Sequence, residues 1–141
     1  MAYCTKEDIL EQLPEQELIT LTDDAGTGTV DEDVVNRAIT DADATIDAYC
    51  QGRYALPLNP VPEMIRKLSV DIAIYNLYSR RNDVMPDVRT ERYKNAIRFL
   101  ERVAEGKIQL GASTPQPEST ANSVNLTSDE RIFNRENMGG Y

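Results

Sequence analysis

Histidine is missing from the whole chain, and tryptophan with it. Without histidine there is no Ser-His-Asp or Cys-His nucleophilic arrangement. The commonest metal ligand and the side chain that moves protons near neutral pH are missing as well. Cysteine occurs only at Cys4 and Cys50. With no CxxC pair, neither a structural zinc site nor a thioredoxin-type couple has support. In a reducing compartment both cysteines stay thiols. No apolar run approaches the roughly 20 residues that span a bilayer. The opening MAYCTKED lacks the basic and apolar regions of a signal peptide, so a protein made and kept in the cytosol is expected. The Gly-Thr-Gly at 26–28 is too short to cradle a phosphate. No catalytic, cofactor-binding or metal-ligating residue is expected, and the chain does not read as an enzyme.

What is present suits a folded domain. Hydrophobic residues make up 40% and charged residues 28% of 141, enough apolar content for one core without staples. The net charge of −9 is unevenly spread. Residues 1–52 carry 13 acidic and 2 basic side chains, whereas 53–110 carry 7 acidic and 11 basic. Solvated faces and acidic helix starts account for such a split. So does a contact in which the acidic part of one copy meets the basic part of the next, a heterologous association that closes into a ring when the rotation allows. For wrapping nucleic acid the overall sign is wrong.

Apolar spacing and end signals predict an all-α bundle of four to five helices over residues 1–110. The first runs from Lys6 to Leu13, with Thr5 and Asp8 approximating a capping box. A short piece follows over Glu15 to Leu21, then the turn-rich DDAGTGT. Apolar positions 35, 39, 42, 46 and 49 alternate steps of four and three, predicting a long helix over Asp31 to Gln51 with one buried face. Gly52 is expected to stop it in a left-handed conformation. Arg53 to Leu58 then reads as an extended apolar strap. Pro60-Val61-Pro62 opens the next helix, which runs to about Arg81 and is apolar over a wide arc, as a central helix would be. A last helix covers Arg89 to Glu105 and stops at Gly106, with Lys107 to Leu110 lying against the bundle. Tyr49, Tyr54, Tyr75, Tyr78 and Tyr93 fall at or near core positions. Residues 111–141 change character: a tail rich in Ser, Thr, Pro and Asn ends in ERIFNRENMGGY. That composition reads either as a plain tail or as a polar tether whose tip, Arg131, Ile132 and Phe133, orders on a partner.

Carboxylates and arginines are the remaining chemical candidates. Asp43 and Asp47 share a helical face but supply too few oxygens for a cation site, so an acidic solvated or subunit-facing surface is expected. Asp23, Asp24, Asp31, Glu32 and Asp33 lack the ligand spacing of a calcium loop. The basic row Arg80, Arg81, Arg89, Arg92, Lys94, Arg98 and Arg102 is interleaved with acids, which favours contact with an acidic neighbouring subunit over nucleic acid. Subunit contacts are therefore expected at Arg53, Arg98, Arg102, Asp43 and Asp47.

TKEDI near the start, Leu-Thr before the glycine loop, AITDADATIDAYCQGRYALPL, DIAIYNLYSRR and RYKNAIRFLERVAEGKIQL follow one another in an order that resembles a family of Mu-like phage and prophage proteins of the head–tail connection region. The likeness spans about residues 3–110 and rests most on Ala42, Ile46, Tyr49, Arg53, Tyr54, Pro57, Tyr93, Ala96 and Gly106. Cys50 and Gly52 stand where the family pattern suggests a leucine and a small residue. The resemblance implies an all-α neck adaptor in the virion, a homo-oligomeric ring of twelve copies between the portal protein and a tail-side neck or tail-completion protein. Genomic DNA would pass through it without specific binding. The rivals are a helical DNA-binding or packaging-associated phage protein and, more distantly, a carboxylate-and-metal enzyme.

Overall fold

The computed structural model describes residues 2–81 and 84–110. It is all-α: α1 (Lys6–Leu10), α2 (Glu15–Thr22), α3 (Glu32–Cys50), α4 (Glu63–Ser79) and α5 (Asp87–Ala104), with no strand among the described residues. The tail 111–141, including Arg131, Ile132 and Phe133, lies outside the described residues.

The helix starts follow local chemistry. Thr5 and Asp8 form the reciprocal capping box at α1, Thr5 N–H donating to Asp8 Oδ2 at 2.9 Å and Asp8 N–H to Thr5 Oγ1 at 3.4 Å. Asp31 caps α3 by accepting from the N–H groups of Asp33 and Val34 at 3.0 and 3.3 Å. At α4, Pro62 stands one position earlier than expected, as the N-cap residue, where its missing N–H costs nothing, and Pro86 is the N-cap of α5, which begins at Asp87 rather than Arg89. Pro14 does the same at α2, and α1 ends at Leu10 rather than Leu13.

Helix α4 is the axis of the bundle. It packs against α3, α5, α1 and α2, and ten of its residues are buried, Ile65, Leu68, Ile72, Ile74 and Leu77 among them. From α3 come Val35, Ala38, Ile39, Ala42, Ile46 and Cys50, and from α5 Ala96, Leu100 and Val103. Tyr54 and Tyr78 are buried, while Tyr75 and Tyr93 stack with ring centres 3.8 Å apart and planes 9° from parallel. Leu110 closes the bundle, donating its N–H to Tyr54 Oη at 2.9 Å. Among the described residues no helix is long and apolar enough to cross a membrane.

Two expectations at helix ends part company. Gly106 is left-handed, with φ of +80°. Its N–H bonds Val103 O and the Lys107 N–H bonds Arg102 O, the paired bonds of a Schellman motif. Gly52 has no positive φ; α3 ends instead on a tight turn in which Arg53 and Tyr54 both donate to Cys50 O at 3.0 Å. The following strap is not extended. It folds irregularly through cis peptides at Leu56–Pro57 and Asn59–Pro60, with Tyr54 and Leu58 turned into the core.

A Cβ on Gly106 would also meet the Arg53 guanidinium at 2.6 Å, which is free to swing aside, so the left-handed backbone sets the cost. Gly106→Ala is expected to lose about 1–2 kcal/mol in urea denaturation. Gly52→Ala, with nothing within 4 Å of the added carbon, should stay within about 0.5 kcal/mol.

Candidate docking groove

An open groove of about 600 Å³ lies between α4 and α5. Buried Leu68, Asp71 and Ala96 form its floor. Met64 and Val88, two of the exposed large apolar side chains, lie along it with half-buried Phe99. Lys67, Arg89 and Arg92 make the rim basic. The end beside Gln12 is braced: Arg89 Nη2 donates to Gln12 O at 3.0 Å and Arg92 Nη1 to Gln12 Oε1 at 2.7 Å. A second hollow of about 460 Å³ continues past Met64 and Lys67 toward Asp8, Glu11 and Glu63, so the surface turns acidic on its α1 side.

Asp71 is the unusual residue. It sits in the apolar run Leu-Ser-Val-Asp-Ile-Ala-Ile, and its side chain is 6% exposed. Arg92 Nη1 is 3.9 Å from its Oδ1, too far for a hydrogen bond, and Oδ1 has no hydrogen-bond partner among the described residues. Arg89 Nη1, on the same groove, is buried without a partner as well. Burial pushes the Asp71 carboxyl above the usual carboxylate range, against the opposing pull of Arg92, Lys67 and Arg89. An acid in the middle of an apolar helix was a legible signal that the spacing arguments passed over.

Asp43 and Asp47, expected as solvated surface, are half-buried and engaged within the chain. The Tyr3 N–H donates to the Asp43 carboxylate at 3.2 and 3.3 Å, and the Tyr3 hydroxyl donates a short bond to Asp47 while accepting from Leu58 N–H at 3.2 Å. Ser69 Oγ lies 3.1 Å from both Asp43 Oδ1 and Cys4 Sγ; its single proton goes to the carboxylate, the stronger acceptor. Burial raises the Asp43 carboxyl, opposed by the bonds from Tyr3 and Ser69. Burial likewise pushes the thiols of Cys4 and Cys50 up to about 11, which leaves them unreactive near neutrality. These aspartates fasten the N-terminal segment to α3 and α4.

Two residues of the basic row, Arg80 and Arg81, find an acid within the chain. Arg80 donates to Leu21 O at 2.9 Å and pairs with Asp24 at 2.6 Å; Arg81 donates to Thr20 O at 3.3 Å and also pairs with Asp24. The two arginines thus complement the carbonyl end of α2, which has no basic residue in its own last turn. They also hold the Asp24 carboxyl below the usual range. Both arginines are therefore engaged within one chain. Arg98 and Arg102 are exposed on α5 with no ion pair among the described residues, and Arg53 is exposed beside Gly106. In the glycine loop Asp23 accepts from Thr27 and Gly28 N–H at 2.9 and 2.7 Å, so the carboxylate organises the turn itself. No three potential metal ligands converge among the described residues.

Fold and surface define a small helical bundle with an open, mixed-charge groove. The chain belongs to the family described as Bacteriophage Mu, Gp36, whose sequence model matches residues 3–128. It is 36% identical over 114 residues to the Mu-like prophage FluMu protein gp36 of Haemophilus influenzae, covering 80% of this chain and 79% of that protein. It is 31% identical over 146 residues to Gene product J of Escherichia phage Mu, covering 99% of each.

Two substitutions separate the buried polar groups. Tyr3→Phe leaves Asp47 and the Leu58 N–H without their partner and is expected to lose about 1–3 kcal/mol in urea denaturation. Asp71→Asn is expected to do the reverse, gaining about 1 kcal/mol at pH 7 by removing an imperfectly paired buried charge. Because the folded chain takes the Asp71 proton at higher pH than the unfolded chain, this carboxyl adds stability as pH falls from neutral toward about 4. Acidification to pH 5 should therefore stabilise the parent chain more than the Asn variant, measured as the change in urea midpoint.

Proposed function

We propose that this chain is a structural subunit of a phage head–tail connector, a neck adaptor ring between portal and tail. The observation that carries the proposal is the groove over Asp71: a protein of a Mu-like phage family holds a buried carboxylate, paired only loosely with Arg92 and with one oxygen lacking a hydrogen bond, at a partly apolar and basic-rimmed opening. Such a site suits a protein contact, since a charge already out of water pairs strongly with a group delivered by another chain. The ring has twelve copies, seated on the portal and facing a tail-side neck or tail-completion protein, and resides in the virion. Its DNA contacts are non-specific, the genome passing through. No step of catalysis is assigned.

A second proposal, a DNA-binding or packaging-associated protein, is favoured by one observation: Lys94, Arg98 and Arg102 follow at fours along the exposed side of α5. The acids Glu91, Glu101 and Glu105 on the same exposed surface weaken it.

Light scattering and electron microscopy of the purified protein, with and without the portal of the same phage, test the connector. Rings, or a portal complex of fixed stoichiometry, are expected. A strict monomer indifferent to the portal, binding duplex DNA with an affinity that falls steeply with salt, would hand the case to the second proposal.

A further inference from the structure

The unpaired groups along the groove have a definite order. The short connection makes α5 run back along α4, so Arg89, about one turn before Arg92 on α5, lies on the C-terminal side of Asp71 along α4, whereas Met64 lies two turns to the other side, roughly 10 Å away. An occupant that complements this lining offers, in sequence, an acid beside Arg89, a base beside Asp71, and an apolar group for Met64 and Phe99.

The chain carries such a sequence in its own tail. In an extended segment residues i, i+2 and i+4 share one face. Asp129, Arg131 and Phe133 stand at that spacing: an acid, a base and an aromatic ring. At roughly 3.3 Å per residue, Phe133 falls about 7 Å beyond Arg131 and Arg135 about 13 Å beyond, the stretch from Asp71 to Met64.

We infer that the groove between α4 and α5 receives the Asp129–Phe133 segment of a neighbouring copy, with Arg131 on Asp71, Asp129 on Arg89 and Phe133 over Met64 and Phe99. The assignment to a neighbour rests on the connector reading. A ring needs two different, complementary surfaces on each copy, and the groove and the segment are such a pair. The 20 residues between Leu110 and Arg131 reach roughly 70 Å when extended, ample for crossing to an adjacent subunit.

Two single-cysteine proteins test the register and the donor. Met64→Cys places a thiol on the groove rim, and Arg135→Cys places one beside Phe133 without touching the three anchoring groups. Native Cys4 and Cys50 are buried and do not compete. Mixed under mild oxidation, the two full-length variants are expected to form a one-to-one disulfide dimer. In separate assembly measurements Arg131→Glu should weaken self-association roughly tenfold or more, the loss of a charge-assisted bond, with helix content unchanged. Asp71→Asn should weaken it too, although the subunit itself becomes more stable.

Rings that form normally without the mixed disulfide, and that tolerate Arg131→Glu, would overturn the inference while leaving the connector standing. A double variant that closes only within one chain would overturn it as well, since the tail would then fill its own groove. A parent protein that never assembles, with or without portal, removes the connector and this inference together.

Discussion

The enclosure of α4 sets the terms for the rest of the bundle. A helix touched by all four others must satisfy every polar group it carries, because water reaches little of it. It carries two such residues in its middle, Ser69 and Asp71. Two positions apart on a helix, they point different ways. Ser69 turns toward α3 and the N-terminal segment, where Asp43 accepts its proton. Asp71 turns toward α5 and meets only the distant Arg92. One side of α4 is thereby closed and the other left open.

The closed side explains how an otherwise unremarkable N-terminus is held. Tyr3 lies outside any helix, yet it is 2% exposed, and its hydroxyl joins α3 to the turn at Leu58 through Asp47. The acidity of the first half has a local purpose here. Asp43 and Asp47 anchor, Asp23 folds its loop, and Asp24 receives Arg80 and Arg81 from the end of α4. Part of the uneven charge along the sequence thus serves contacts within one subunit. Turned outward are the exposed basic side of α5, the basic rim of the groove, and exposed acids such as Glu11, Glu15 and Asp33 in the first half.

The five helices were legible because apolar spacing and end chemistry act locally. The Thr5–Asp8 box, the Asp31 cap and the Gly106 stop are all written within a few residues of where they act. Gly52 shows the limit of the same logic. Glycine permits a left-handed stop without requiring one, and the turn bonds from Arg53 and Tyr54 to Cys50 ended α3 another way. Asp43 and Asp47 misled for a different reason. Their partners, Tyr3 and Ser69, lie 40, 44 and 26 residues away, and no spacing rule reaches that far. The groove was equally hidden, since it exists only where α4 meets α5. Its one sequence trace was Asp71 among apolar neighbours, visible to a search for polar residues in apolar runs but not to one for helix faces.

Asp71 also decides which partners the groove accepts. Its desolvation is borne when the subunit folds, so an arriving guanidinium finds an acceptor already stripped of water and held by a packed helix, which lowers the cost of pairing. The same arrangement rejects most sequences. A uniformly acidic segment would set a carboxylate against Asp71, and a uniformly basic one would crowd Lys67, Arg89 and Arg92. An apolar segment would cover Met64 and Val88 but seal Asp71 and Arg89 away unpaired, at a cost of several kcal/mol. Only alternating charge followed by an apolar group satisfies every demand at once. In the assembly proposed above, a subunit carrying both the groove and one segment of that kind would select copies of itself, and a buried charge that weakens the lone bundle would fix its register.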